Sequence, residues 1–370
     1  MLLIKVFIVI DTLVHGKRLN TTMEQTEGQY YSQLNSDNLE RIQNGLRERG
    51  LISWQSLNLP KDMECVEPRH LDSWIKICED KNIDPKRVVI DDNNINYKWV
   101  ANNYEFKSSY MPNELYKLIN NLSPCNHIIP ETNLNFMAGN YAFTRWRLLE
   151  MMWRKGLLTD STKLFWSAYR SGELHDEHNR DDLLSAEFLE FMLENVPRTF
   201  MIDKFYNKYP EDLQMGTREQ RYITDYNNYD TWIYEHSLIS VVVDTMSNWP
   251  NLDDCPTDQF TNVYTTPKSF KAIKHKRPFI LAVAKQSNEL AMLRDLGFET
   301  FDSVWSEEYD KQSFHKRLDH MGDLCYNLSN ENTTELYHAT IDICEHNYNV
   351  LMDTDWVEWY LQELDKQHDL

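Results

Sequence analysis

Apolar positions along this chain alternate between short continuous runs and stretches at helical spacing, which predicts strand–helix–strand units and a parallel sheet. The opening run Leu2 to Ile10 is expected to be a buried first strand. It is interrupted by Lys5 and closes on Asp11 without a small-residue cleavage site, so it does not read as a signal peptide. A polar loop through Gln33 follows, then helices near Asn38 to Arg49 and Arg69 to Lys81. Asp84-Pro85 turns the chain into the strand Val88-Val-Ile90, and Asp91-Asp92-Asn93-Asn94 reads as the loop after it. The two prolines of Leu122 to Pro130 mark a crossover between halves. From Thr162 to Ile223 the pattern is helical and acidic, with Leu183, Leu184, Phe188, Phe191 and Met192 on the core face. Further on, Ser240 to Asp244 and Phe260 to Thr265 predict strands, Lys268 and Lys271 open a helix, and Arg277-Pro278 breaks it before the apolar run Phe279 to Ala284. Leu318 to Leu370 reads as helical, with Trp356, Trp359, Tyr360 and Leu364 in its pattern. The expected fold is α/β with two Rossmann-like units, divided as 1–130, 131–320 and a helical segment 321–370.

Composition narrows the function classes. With 370 residues, 41% of them hydrophobic and 12% aromatic, the chain can fill two cores of ordinary domain size. A formal charge of -20 repels polyanions, which argues against sequence-independent nucleic-acid binding as the main activity. The acidic stretches Asp176 to Glu194 and Asp353 to Asp369 read as solvated helix faces and a tail. Six cysteines with no C-x-x-C pair fit a reducing compartment. No run approaches the ~20 apolar residues of a membrane helix, so a soluble, cytoplasmic protein is expected.

The chemistry-bearing residues cluster at strand ends. Ligands of open parallel sheets bind beyond the carboxyl ends of the strands, which brings in Asp11 and Asp91. A helix start carrying Lys268 suits an anion, although Lys268 and Lys271 also suit the solvated face of a surface helix. In the same way Arg145 and Arg147 fit the exposed side of a helix whose core face is Leu148, Met151, Met152 and Leu157. His175-Asp-Glu-His178 has ligand-type side chains but no third distant ligand, so no metal site is expected. Ten glycines and a first strand without G-x-G-x-x-G after it disfavour a nucleotide-sugar epimerase or dehydrogenase.

Several of these pieces resemble the donor-binding half of α1,3-fucosyltransferase-like enzymes and of related viral and phage glycosyltransferases. They are Ser240-Val-Val-Val-Asp244-Thr245, Tyr264-Thr-Thr266-Pro-Lys268-Ser269, Arg277-Pro-Phe279, and Leu290 through Leu293, Leu296, Gly297-Phe298 and Thr300-Phe301. Upstream, Phe136-Met-Ala-Gly-Asn140, Arg145, Arg147-Leu-Leu and Gly156-Leu157-Leu158 resemble the segment that opens the donor domain in the viral family. Together they cover roughly Asn135 to Asp310. Pro267 stands where the family has a glutamate, so no ribose contact by that carboxylate carries over, and Asp244 replaces the commoner glutamate.

The resemblance implies a GT-B-like arrangement, with 1–130 as the acceptor-side lobe and 131–320 as the nucleotide-sugar lobe. It implies transfer of a sugar from a nucleoside diphosphate to a hydroxyl, with the nucleotide sugar as co-substrate and neither cofactor nor metal. Arg147 and Lys268 fall to the diphosphate, with Arg145 beside them, because a departing diphosphate needs positioned cations. Asp244, Tyr264 and Ser269 line the donor site, and Glu307, Glu308 and Asp310 match the family's acidic close, where they also suit a helix cap. Asp11 is the candidate general base. The acceptor is a glycan or small hydroxyl compound, or a hydroxylated base in phage DNA, and the location would be the host cytoplasm for a viral protein. The membrane anchors of Golgi fucosyltransferases have no counterpart in this expectation. The competing expectation is a catalytically inactive binding or virion-associated protein that keeps the transferase fold, for which Pro267 is the main sign.

Overall fold

The computed structural model describes residues 27–57, 71–90, 100, 104–108, 128–139, 143–160, 162–168, 184–195, 233–243, 267–282, 289–312 and 314–368. The expected strands at Leu2 to Ile10 and Phe260 to Thr265 lie outside them, as do Asp11, Asp91, His175, His178, Asp244 and Tyr264. Within them the protein is mixed α/β with two parallel sheets.

The first sheet contains β1 (Ile52–Ser53), β2 (Val88–Ile90) and β3 (Lys107–Ser108), paired in that order with Ser53 opposite Val89 and Val89 opposite Lys107. Its helices are α1 (Glu27–Glu48) and α2 (Leu71–Asp80). Side chains of a strand alternate between faces. Val88 and Ile90 accordingly join a small core with Leu71, Trp74 and Cys78 of α2, where Trp54 stacks on Trp74 at 5.2 Å. Val89 faces the other way, into the large core that also takes Ile42 and Leu46 of α1.

The second sheet contains β4 (Thr132–Gly139), β5 (Leu164–Ala168), β6 (Ser237–Val243) and β7 (Phe279–Ala282), in the order β5-β4-β6-β7. All pairs are parallel: Phe136 lies opposite Trp166 on one side and Val241 on the other, and Val243 lies opposite Ala282. Every residue of β6 is buried, as expected of a central parallel strand covered on both faces. The helices of this part are α3 (Phe143–Arg154), α4 (Ala186–Asn195), α5 (Pro267–Lys274), α6 (Glu289–Asp295), α7 (Phe314–Ser329), α8 (Thr333–Asp353) and α9 (Trp356–His368).

Three expectations change. Helix α1 begins at Glu27, inside the segment read as a polar loop. The stretch read as helical from Thr162 contains strand β5, whose five residues LFWSA are too short for periodicity to separate strand from helix. Neither Arg145 nor Lys271 lies on an exposed face: both are buried.

Helix α9 packs on α1. Gly45 makes the approach: a Cβ there would meet Leu361 Cδ1 at 2.3 Å, so only glycine leaves room for that leucine. Ion pairs flank the contact, Arg41 Nη2 to Asp355 at 2.5 Å and Arg49 to both carboxylate oxygens of Asp365 at 2.6 and 2.7 Å.

Candidate functional site

Strand order sets the location. From β4 the chain goes to β5 on one side and then crosses to β6 on the other, so β4 and β6 flank the point where the winding reverses. At such a switch point the loops beyond the carboxyl ends diverge and leave a crevice. β4 ends at Gly139 and α3 starts at Phe143, which directs the N-terminal end of α3 into that crevice. Arg145, in the first turn of α3, reaches across it: its Nε donates to the carbonyl oxygen of Val243, the last residue of β6, at 2.9 Å. The side chain is 2% exposed.

Arg147 points elsewhere. Residues two apart on a helix lie roughly 200° apart around its axis, so both arginines cannot serve one ligand from one face. Arg147 Nη1 donates to Glu150 Oε2 at 2.6 Å, and Arg154 donates to Glu150 Oε1 at 2.7 Å. The backbone N–H of Ser185 donates to the same oxygen at 3.2 Å. Burial alone would raise the Glu150 carboxyl, but the hydrogen bonds from Arg154, Ser185 and Arg147 outweigh it and hold the group below its usual value. Arg147 therefore neutralises a fully buried carboxylate that ties α3 to the start of α4. Arg147 is thus committed to Glu150, and Arg145 reaches the end of β6.

Lys268 and Ser269 lie in the first turn of α5, and their side chains are outside the described residues. The C-terminal end of α5 leads through Arg277 into the amino end of β7. Eight helical residues span about 12 Å, so the start of α5 lies toward the carboxyl edge of the sheet. Pro267 occupies its first helical position, where the missing N–H costs nothing.

The acidic close has mostly structural partners. Glu307 accepts from Phe301 N–H at 2.7 Å, from Thr300 Oγ1 at 2.8 Å and from Arg294 Nη2 at 2.6 Å, which clamps the turn between them. Burial raises the Glu307 carboxyl above its usual value despite those hydrogen bonds. Glu308 is exposed and pairs with Lys311 at 2.8 Å. Asp310 is buried and accepts from Leu290 N–H at 3.2 Å, so it caps α6, the preceding helix rather than the following one. The Tyr309 hydroxyl oxygen accepts from Leu281 N–H of β7 at 3.3 Å.

These residues border a cleft of about 570 Å³ between the first turns of α6, the Asp302 to Ser306 turn and the short helical turn Glu308–Lys311. Its size is that of a small-molecule site. It sits beyond β7, the neighbour of β6, on the same edge as Arg145. Trp305 and Arg294 of the cleft carried no weight in the sequence beyond filling the resembling segment. Arg317 was also missed: it is buried in the first turn of α7 and its Nη2 lies 3.5 Å from the Asp310 carbonyl oxygen. A basic residue just after an acidic turn is the one signal that marked it.

Among the described residues no group of three or more His, Cys, Asp or Glu side chains could hold a metal, and no helix is long and apolar enough to cross a membrane. Comparisons with family models, with curated proteins and with solved structures found no match.

Proposed function

We propose that this chain is a nucleotide-sugar-dependent glycosyltransferase of the two-lobed GT-B type, with the donor diphosphate at the switch point of the second sheet. The observation that carries the reading is the buried guanidinium of Arg145, in the first turn of α3, bonded to the last residue of β6 at the carboxyl edge. Two helices start toward that edge, α3 and α5, and helix N-termini favour anions. The docking of α9 on α1 supports an arrangement in which the last helix joins the two halves.

In this reading negative charge grows on the diphosphate as the sugar leaves. Arg145 and Lys268 stabilise it, and Arg147 acts indirectly by fixing α3 through Glu150. Asp244, Tyr264 and Ser269 border the donor, and Asp11 takes the proton of the acceptor hydroxyl. A neutral glycan or small hydroxyl acceptor fits the chain's -20 charge better than DNA does.

Thermal shift against UDP, GDP, ADP and their common sugars tests this directly. A ligand at a hundred times its dissociation constant adds ~2.7 kcal/mol of stability. The expected result is a selective shift with one base, lost in Arg145→Gln but kept in Arg147→Gln once the lower stability of that variant is allowed for. No shift with any nucleotide would overturn the proposal. Donor binding with neither transfer nor slow donor hydrolysis would instead favour an inactive binding protein, the reading to which Pro267 points.

A further inference from the structure

The cleft beside β7 has a chemistry unlike that of the switch point. Its lining holds two cations, Arg294 and Lys311, against four carboxylates, Asp302, Glu307, Glu308 and Asp310, a net of two negative charges. Both cations are already engaged, Arg294 by Glu307 at 2.6 Å and Lys311 by Glu308 at 2.8 Å. A phosphate placed there would meet excess negative charge, and charges at ~4 Å interact by about 4 kcal/mol at the effective dielectric of a protein surface. The cleft is therefore unsuited to the diphosphate of the donor.

Apolar surface is present alongside the acids. Leu290, Ala291, Val304 and Trp305 contribute to the lining. Trp305 is stacked on Phe301 at 4.9 Å and is itself 6% exposed. Ser303 and Ser306 add hydroxyls. Carboxylates and hydroxyls accept from ligand O–H or N–H groups, and aliphatic and aromatic carbon packs against C–H faces. A small ring that carries hydroxyls on its rim and C–H on its faces satisfies both.

We propose that this cleft is a sugar subsite selective for neutral or amino sugars, and that its carboxylates exclude acidic sugars such as uronic acids. The proposal rests on the transferase reading and divides the labour along one sheet edge: Arg145 faces the anionic part of a nucleotide sugar, and the acidic cleft takes the uncharged ring one strand away, about 5 Å across the sheet from β6 to β7. Asp302 and Glu308 are the residues that set the selectivity. Both are largely exposed, with side chains 69% and 61% accessible, and neither caps a helix or clamps a turn as Asp310 and Glu307 do.

A matched set of probes tests it: glucose, glucosamine and glucuronic acid, which share one ring and differ in charge. Ligand-observed NMR on the full chain is expected to rank glucosamine and glucose at least 10-fold above glucuronic acid. In Asp302→Asn/Glu308→Gln the discrimination against glucuronic acid should fall several-fold with the protein still folded. Ser303→Trp, which fills the cleft from an exposed rim position, should abolish binding of all three. Sugar binding unaffected by Ser303→Trp, no sugar binding at millimolar concentration, or discrimination unchanged in the double variant would each overturn the subsite. A nucleoside-diphosphate shift that survives alongside such a failure leaves the transferase reading intact. Loss of that shift with sugar selectivity retained would sink the transferase reading and leave a sugar-binding cleft.

Discussion

The two edges of the second sheet each bury an arginine almost completely, yet the two residues do different things. At the amino edge Arg277, 1% exposed, donates to the carbonyl oxygens of Tyr234 at 2.5 Å and Ile128 at 3.2 Å, just ahead of β6 and β4. At the carboxyl edge Arg145 donates to the carbonyl of Val243 where the strand ends. Neighbouring groups at the amino edge are equally committed to backbone. Asn133 donates to the carbonyls of Leu328 and Glu331 and accepts from Thr333, which brackets the junction of α7 and α8. Burial of a charge is thus no mark of function by itself. Strand direction supplies the distinction, because ligands of open parallel sheets bind in the crevice beyond the carboxyl ends of the strands.

The sharpest way to probe that difference is through His275, which stacks on Tyr234 at 4.4 Å on the amino side. Burial, with Lys271, Lys274 and Arg277 nearby, pushes its imidazole down to about 3 from an ordinary value near 6.5. The unfolded chain gains a proton below pH ~6.5 that the folded chain refuses, so the stability due to the neutral ring is full above that pH and is lost as the pH falls toward 3. At pH ~4.5 the loss is on the order of 2–3 kcal/mol. His275→Phe keeps the stack and removes the titration, so urea melts of the variant should lose that slope between pH 6.5 and 4.5.

Comparable in size is the effect expected of Arg277→Met. Losing its hydrogen bonds to two backbone carbonyls should cost about 3 kcal/mol in urea unfolding and leave nucleotide affinity of the folded protein unchanged. Arg145→Gln should show the opposite balance: at least a 10-fold loss of nucleoside-diphosphate affinity, ~1.4 kcal/mol, against a smaller change in stability. If both variants lose stability alone, the two edges are equivalent and the functional assignment of the carboxyl edge fails.

The smallest expected effect lies between α1 and α9. The hydrogen bond from Arg49 holds the Asp365 carboxyl below its usual value, so this pair contributes above the unfolded value near 3.8 and is lost as pH falls through the lower folded value. Its partial exposure screens it, and Asp365→Asn should cost about 0.5–1 kcal/mol at neutral pH and flatten the acid limb of the stability curve.

Local pattern made part of this architecture legible. The runs Val88 to Ile90, Ser240 to Val243 and Phe279 to Ala282 are strands, and Leu184, Phe188 and Met192 form the buried face of α4, because continuous apolar runs and helical spacing report burial directly. The second half of helix α1 was legible as the helix near Asn38 to Arg49, whereas its start at Glu27 falls in the polar stretch read as a loop. The roles of Arg145 and Arg147 were hidden for a different reason. The resemblance put Arg147 ahead of Arg145, and only the helical phase, with Glu150 on one side and Val243 on the other, separates their partners. Glu307 looked like a ligand-facing acid but clamps a turn, a role set by Thr300 and the Phe301 N–H.

The seating of Leu361 over Gly45 also sets an order of events during synthesis. Arg49 and Asp365 are 316 positions apart, and at 5–20 residues per second the ribosome needs roughly 15–60 seconds to travel from one to the other. Throughout that interval the apolar stripe of α1, Ile42 and Leu46, has no final partner from α9. A nascent chain of this protein therefore carries Ile42 and Leu46 without the cover of α9 for most of its translation.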